Sequence, residues 1–171
     1  MLQACRWSTS PLLYPIVVLA IATGMRKGEI VMLRWPQINF ERALITLQLT
    51  KNDELRSVPL TGRAFDLLKT LSKGKRSDTD LVFPSNSGEK PLEIAKAWTT
   101  AVKKAGVADF RFHDLRHTAA SYLAQGGATG LDIAAVLGHK TLAMVKRYAH
   151  LSESRVRQVV TDMNQRTLGD R

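Results

Sequence analysis

Three short segments in the first third of the chain limit the fold most strongly, because each alternates apolar and polar residues and is rich in β-branched side chains. They are "WPQINF" (35–40), "ALITLQL" (43–49) and "LRSVPL" (55–60). The connections between them are only a few residues long, too short to hold a crossover helix. The sequence therefore predicts a small three-stranded antiparallel sheet and not a βαβ repeat.

Helical patterns fill most of the remaining sequence. Before the sheet, "LLYPIVVLAIAT" predicts a mostly buried helix that begins near Tyr14, because Pro15 is disfavoured inside a helix, and that ends at Gly24. A short helix is predicted next at 26–33, and residues 1–10 are predicted to be irregular. After the sheet, the predicted helices cover 62–72, 91–105, 113–125, 131–137, 142–149 and 152–165. The predicted fold class is α+β and mostly α, with helices on both sides of the sheet in sequence.

The charge balance of the chain favours a polyanionic partner. Its 171 residues include 25 Lys and Arg against 15 Asp and Glu, a formal net charge of +10. Such an excess is typical of nucleic-acid binding. A solvated basic surface that aids solubility is the alternative.

Cysteine usage and hydropathy bear on the compartment. Cys5 is the single cysteine, which excludes an internal disulfide and fits a reducing environment. The longest apolar run, 16–22, is too short to span a bilayer, and no basic leader precedes it. We therefore predict a cytoplasmic, nucleoid-associated protein with no membrane partner.

The segment "FHDLRHT" (112–118) contains two histidines four residues apart, His113 and His117. Residues at this spacing share one face of a helix, so the pair could bind a metal ion as in the H-E-x-x-H zinc sites. However, Asp114 stands where those sites have their catalytic Glu, and no third ligand follows at a recognisable spacing. A zinc hydrolase is thus an alternative without a complete ligand set, and we predict no metal or other cofactor.

Two arginines favour phosphate binding instead. Arg116 lies one turn from His113; its guanidinium is a rigid fork of donors that matches phosphate, and a histidine beside it can donate to the same group. The segment "TGMRKGEI" places Arg26 at a helix start, where the helix dipole disfavours a cation. Either a bound anion or a pairing with Glu29 one turn later would explain Arg26.

The segments "LGHKT" (137–141) and "VKRYAHL" (145–151) supply two more candidates. His139 follows Gly138 in a predicted loop, where it can touch a ligand. Tyr148 follows nine residues later, and a tyrosine hydroxyl can act as a nucleophile at phosphorus. The alternatives are a capping histidine and a tyrosine ring packed in a helix.

Together these motifs resemble the catalytic domain of the tyrosine recombinases, the phage integrase family. The segments "ATGMRKGEI", "TKNDELRSVPL", "FHDLRHTAASYLAQGG" and "LGHKTLAMVKRYAHL" stand in that family's order and at its usual spacing. The resemblance covers nearly the whole chain, from about Pro11 to Ser152. It implies one helical catalytic domain over 1–171, with 1–10 as a linker remnant, and without the family's N-terminal core-binding domain.

The resemblance implies which residues would hold the DNA phosphate. Arg26 and Arg116 match the two arginines that bind the scissile phosphate, and His139 matches a histidine that donates a hydrogen bond to it. Glu29 matches an acidic partner that helps to orient the site. These donors would stabilise the charge that builds on the phosphate oxygens.

The resemblance also implies the reaction, that of a site-specific DNA recombinase or integrase. Tyr148 matches the nucleophile that forms a 3′-phosphotyrosyl intermediate, His113 a proton-transfer group, and Lys51 the general acid for the leaving 5′ oxygen. Strands would be exchanged without metal or ATP. The alternatives are a type IB topoisomerase-like nicking-closing enzyme and a DNA-binding module that has lost catalysis, against which the full set of candidate residues argues.

Partners follow from the same resemblance. Double-stranded DNA is the implied substrate, and a prophage or mobile element is the favoured setting. The C-terminal helix and tail, 152–171, resemble the segment that packs on a neighbouring subunit. We therefore expect self-association through this helix, as a tetramer on paired DNA sites.

Overall fold

A computed structural model describes residues 1–48, 55–139, 141–146, 148 and 153–168. The chain divides into two compact units, Met1–Ala119 and Ala120–Arg171. The helices are α1 (Leu2–Arg6), α2 (Leu13–Thr23), α3 (Lys27–Val31), α4 (Gly62–Ser72), α5 (Ala95–Lys104), α6 (Asp114–Gln125), α7 (Gly130–Leu137) and α8 (Glu153–Leu168). With the sheet described next, this arrangement confirms the predicted α+β, mostly α fold class.

The sheet is antiparallel, as predicted, with its strands in the order β1-β2-β3. Its strands are β1 (Ile38–Asn39), β2 (Leu44–Gln48) and β3 (Leu55–Pro59). Ile45 pairs with Ile38 on one side and with Val58 on the other, so apolar side chains meet on the buried face. The first strand is shorter than predicted, because Trp35–Gln37 forms a 3-10 helix that contains a proline.

The core of the first unit is built around α2. Eight of its eleven residues are buried, among them Ile16 and Leu19, and the helix packs against α1, α3 and α4. It begins at Leu13, close to the predicted start, and ends at Gly24, whose φ of 63° is a left-handed conformation that glycine adopts without strain. The chain therefore turns sharply out of the core immediately before Arg26.

The N-terminal segment is not irregular, so that prediction was wrong. Leu2–Arg6 forms α1, and Cys5 is buried in the core of the first unit. The Arg6 guanidinium lies 4.8 Å from the centre of the Tyr14 ring, and one of its nitrogens donates to the Tyr14 hydroxyl at 3.0 Å. These contacts fix α1 on α2, although its five residues are too few to show helical periodicity in sequence.

The segment between α4 and α5 is held by specific contacts. Arg76 donates through Nε and Nη2 to both carboxylate oxygens of Asp78, and through Nη1 to the backbone carbonyls of Ser85 and Asn86. The pKa of Arg76 is raised mainly by its hydrogen bond to Asp78, and the pKa of Asp78 is lowered mainly by the same bond. These two charges are therefore structural.

Helix α5 begins four residues later than predicted. Pro91 forms an isolated β-bridge with Pro84 instead of the first helical turn. The Glu93 carboxylate then accepts the backbone N–H of Ala95 at 2.9 Å, which satisfies a donor at the helix start. Trp98 of α5 packs edge-on against Phe112, at 5.2 Å between ring centres, and so supports the entry to α6.

The second unit has its own small apolar cluster. Its members are Ala120, Ala124, Ile133, Ala134, Leu137, Val145 and Tyr148. Thr129 and Asp132 form a reciprocal capping box at the start of α7, which ends at Gly138 with φ 66°. The predicted helix 142–149 is a 3-10 helix over Leu142–Met144, and Ala149 lies outside the described residues.

None of the helices in the described part of the chain is both long enough and apolar enough to cross a membrane.

Candidate active site

Arg26 stands at the turn between α2 and α3. It is the N-cap residue of α3, with φ −73° and ψ 153°, so its backbone is extended and its side chain leaves the core. Glu29 accepts the Arg26 backbone N–H through Oε2 at 2.7 Å and the Arg26 guanidinium through Oε1 at 2.9 Å. The pairing with Glu29 that the sequence left open is therefore present, and it orients an arginine whose side chain remains 44% exposed.

Arg56 is a residue that the sequence analysis missed. It lies on the buried face of β3, and its Nη1 is 3.5 Å from the same Glu29 Oε1 that Arg26 contacts. Its side chain is 6% exposed, and burial is the main cause that lowers its pKa, while Glu29 acts in the opposite direction. The signal was the strand alternation itself, which places residue 56 on the inward face with Val58.

Arg116 is brought to the same region from α6. It is buried, and its Nη1 donates to the backbone carbonyl of Gly24 at 2.5 Å. Gly24 is two residues before Arg26, so the two predicted phosphate ligands, 90 positions apart in the sequence, are attached to one turn. Their proximity is a tertiary feature, set by the entry of α6.

His113 immediately precedes α6 and is exposed. Its ring meets that of His117 edge-on, with 5.3 Å between the ring centres. The Asp114 carboxylate accepts the backbone N–H of Arg111 at 2.7 Å, so Asp114 stabilises the start of α6. No group of three or more His, Cys, Asp and Glu side chains that could hold a metal ion occurs among the described residues.

His139 and Tyr148 belong to the second unit. His139 follows the left-handed Gly138, and its backbone N–H donates to the carbonyl of Ala134 at 2.8 Å. Tyr148 is 6% exposed and packs in the apolar cluster of that unit, so its ring is held among aliphatic side chains. Lys51 lies outside the described residues, and its predicted role remains a prediction.

The side chains of the first unit form an anion-binding arrangement. Arg26 stands on the turn after α2, and Arg116 reaches the same turn from α6 through its bond to Gly24. Arg56 is a third, buried cation, which contacts the Glu29 carboxylate beside Arg26. Donors fixed in place before the ligand arrives stabilise developing negative charge without reorganisation. Such a site is suited to a phosphodiester.

Comparisons with known proteins agree on one group of enzymes. A family model described as the phage integrase family matches residues 1–155. The chain is 38% identical over 157 residues to the shufflon-specific DNA recombinase of Escherichia coli, covering 91% of this chain and 38% of that protein. It is 36% identical over 150 residues to the integrase of Salmonella phage P22, covering 80% of this chain and 38% of that protein.

Solved structures give a corresponding match. The catalytic domain of bacteriophage HP1 integrase superposes with a TM-score of 0.74 at 28% identity, covering 99% of this chain and 92% of that one. The chain thus spans 38% of the length of the two relatives above but nearly all of this catalytic domain.

Proposed function

Because the chain belongs to the phage integrase family, we propose that it is the catalytic domain of a site-specific DNA recombinase, which breaks and rejoins DNA through a phosphotyrosine. The observation that carries the proposal is the hydrogen bond from Arg116 to Gly24, which attaches both candidate phosphate ligands to one turn. The exposed Arg26 guanidinium and the fixed Arg116 would then contact the same scissile phosphate.

The reaction we propose balances without a cofactor. The Tyr148 oxygen attacks phosphorus, so that a tyrosyl O–P bond forms and the bond from phosphorus to the 5′ oxygen breaks. His113 accepts the tyrosine proton, and Lys51 donates a proton to the departing 5′ oxygen. Arg26, Arg116 and His139 hold the phosphate oxygens. A 5′ hydroxyl of another strand then attacks phosphorus and passes its proton to Lys51, while the tyrosyl O–P bond breaks and His113 returns a proton to the Tyr148 oxygen.

Double-stranded DNA is the proposed partner. The net charge of +10 favours it, and α5 adds an exposed group of lysines, Lys96, Lys103 and Lys104. Contacts of this kind neutralise backbone phosphates and make affinity depend on salt. We place the protein in the cytoplasm, associated with the nucleoid, for the same reason.

Self-association through α8 is a second part of the proposal. Val159, Val160 and Met163 lie one turn apart or adjacent on this helix, and each is about half exposed: 49%, 48% and 53%. An apolar stripe of this kind is suited to a groove on a neighbouring subunit. A tetramer on paired DNA sites would bury it.

Covalent capture of DNA tests the function. A duplex would first be selected for binding from a randomised pool, then nicked at successive positions and incubated with the protein in EDTA. A protein–DNA band on a denaturing gel is expected from the wild type and from Tyr122→Phe, which alters an exposed tyrosine, but not from Tyr148→Phe. A band from Tyr148→Phe would refute the assigned nucleophile.

Two further outcomes separate the alternatives. If an added strand with a 5′ hydroxyl becomes joined to the cleaved DNA, the enzyme exchanges strands; if only the original strand is resealed, it is a topoisomerase-like nicking-closing enzyme. A wild type that binds the selected duplex and never becomes linked to it would favour a DNA-binding module without catalysis.

A further inference from the structure

The Glu29 carboxylate contacts two arginine side chains, Arg26 and Arg56. Its Oε1 lies 2.9 Å from Arg26 Nη1 and 3.5 Å from Arg56 Nη1, while Oε2 accepts the Arg26 backbone N–H. The Arg26 side chain is 44% exposed and the Arg56 side chain 6%. The cluster therefore has an exposed cation, a shared anion and a buried cation.

The net charge of this cluster determines how strongly it attracts a phosphate. A lone Arg26–Glu29 pair would be close to neutral, and a phosphate would meet the repulsion of the carboxylate as well as the attraction of the guanidinium. Arg56 supplies a second positive charge from the buried side, so the three groups sum to one positive charge. The Arg56 side chain is 6% exposed and the Arg26 side chain 44%, so a phosphate that arrives from solvent would meet this cluster at Arg26.

We propose that Arg56 is a positioning residue for phosphate binding, which balances the charge of Glu29 from inside the protein so that Glu29 can orient Arg26 without cancelling its charge. The inference rests on the proposed function, since it treats Arg26 as a phosphate ligand. Arg56 is the second residue of β3. Through its contact with Glu29, it connects the sheet to the turn that carries Arg26.

The decisive test is a double-mutant cycle of Arg56→Met and Glu29→Gln, in which the measured quantity is the affinity for phosphate. The Nε–H signal of Arg26 in the ¹⁵N-labelled chain, identified by its loss in Arg26→Lys, would be followed while inorganic phosphate replaces chloride at constant ionic strength. Arg56→Met is expected to weaken phosphate binding about tenfold, the order of one charge removed at several ångströms near a protein surface. Arg42→Met, an exposed arginine in the turn after β1, is the matched control and should leave the affinity unchanged.

The sign of the coupling separates this role from a structural one. Adding Glu29→Gln to Arg56→Met removes the uncompensated anion, so the double variant should bind phosphate more tightly than Arg56→Met and within about threefold of the wild type. A purely structural Arg56 predicts that the two defects add. Equal affinity of Arg56→Met and the wild type, or a double variant that binds more weakly than either single one, would overturn the proposal.

A second variant covers the case in which Arg56→Met does not fold. Arg56→Lys keeps a positive charge beside Glu29 at a pH low enough for the buried lysine to be protonated, and at that pH it should retain phosphate affinity within about threefold; an affinity about tenfold weaker at that pH in a folded Arg56→Lys would contradict the charge-balance role. A wild-type Arg26 signal that does not respond to phosphate would also overturn it.

The phosphate measurement does not require DNA cleavage. It can therefore refute the role of Arg56 without refuting the proposed recombinase activity, and the reverse also holds. Absence of the covalent DNA band with an intact phosphate cycle would refute only the recombinase. A covalent band with an additive cycle would refute only the role of Arg56.

Discussion

The Arg116 guanidinium donates a hydrogen bond of 2.5 Å to the backbone carbonyl of Gly24, across 92 positions of the sequence. Both groups are buried, so this bond does more than orient an arginine: it satisfies the carbonyl at the C-terminal end of α2. A residue assigned to phosphate binding is thereby also a structural tie between α6 and the turn before Arg26.

Replacement of Arg116 by methionine is therefore expected to destabilise the protein as well as to weaken phosphate binding. Loss of the donor leaves a buried carbonyl without this bond, which costs about 1–3 kcal/mol of unfolding free energy. Urea denaturation followed by circular dichroism measures it. Arg42→Met, on an exposed turn, should change the unfolding free energy by less than about 0.5 kcal/mol; equal midpoints for the two variants would contradict the structural tie.

The capping box of α7 predicts a dependence of stability on pH. Hydrogen bonds from the Thr129 hydroxyl and then from its backbone N–H lower the pKa of Asp132 below its ordinary 3.8. A depressed carboxylate pKa stabilises the folded state above the unfolded value, and this stabilisation is lost as the pH falls from 3.8 toward the folded pKa.

Asp132→Asn keeps the shape of the side chain and removes its titration. The unfolding free energies of the wild type and this variant, measured from neutral pH into the acid range, are expected to converge as the pH falls below 3.8. A constant difference between them would show that the Asp132 charge makes no contribution.

Cys5 is expected to be chemically inert in the folded protein. It is 1% exposed, and burial raises the pKa of its thiol above 9.0, although the nearby N-terminal ammonium acts in the opposite direction. The thiolate is the reactive form, so iodoacetamide at pH 8 should label native Cys5 more than about tenfold slower than the urea-unfolded chain. Equal rates would mean that α1 does not protect it.

Two of the three tyrosines, Tyr122 and Tyr148, should differ in reactivity in the absence of DNA. Tyr122 is 60% exposed and Tyr148 is 6% exposed within its apolar cluster. Tetranitromethane should therefore nitrate Tyr122 first, and Tyr122→Phe should remove most of the early product while Tyr148→Phe should not. Peptide mass spectrometry distinguishes the two sites; rapid nitration of Tyr148 in the free protein would contradict its burial.

The sequence predicted correctly those elements that are determined by patterns within a few neighbouring residues. Alternation predicted the antiparallel strands, and the motif order predicted the family, which the match over residues 1–155 confirms. Where neighbouring preferences compete, the prediction failed. Pro91 was expected to begin a helix, but it forms a β-bridge with Pro84. Helix α5 begins only at Ala95, whose backbone N–H donates to the Glu93 carboxylate. Five residues of α1 carry too short a pattern to reveal it.

The contacts of the candidate site are likewise of two kinds, those within one helical turn and those between distant segments. The Arg26–Glu29 pair is one helical turn apart and was weighed from sequence alone. The contacts from Arg116 to Gly24 and from Arg56 to Glu29 join distant segments, and no spacing rule contains them. A hydropathy profile also cannot reveal a buried arginine such as Arg56, because it assigns every arginine to the surface.

The contacts of Arg76 have a consequence for limited proteolysis. Trypsin must draw an arginine side chain into its specificity pocket and hold the flanking backbone extended. In the folded chain, all three guanidinium nitrogens of Arg76 are bound, to Asp78 and to the carbonyls of Ser85 and Asn86. Cleavage after Arg76 therefore requires these bonds to open first, and its rate would report the opening equilibrium of this loop and not the surface position of the bond.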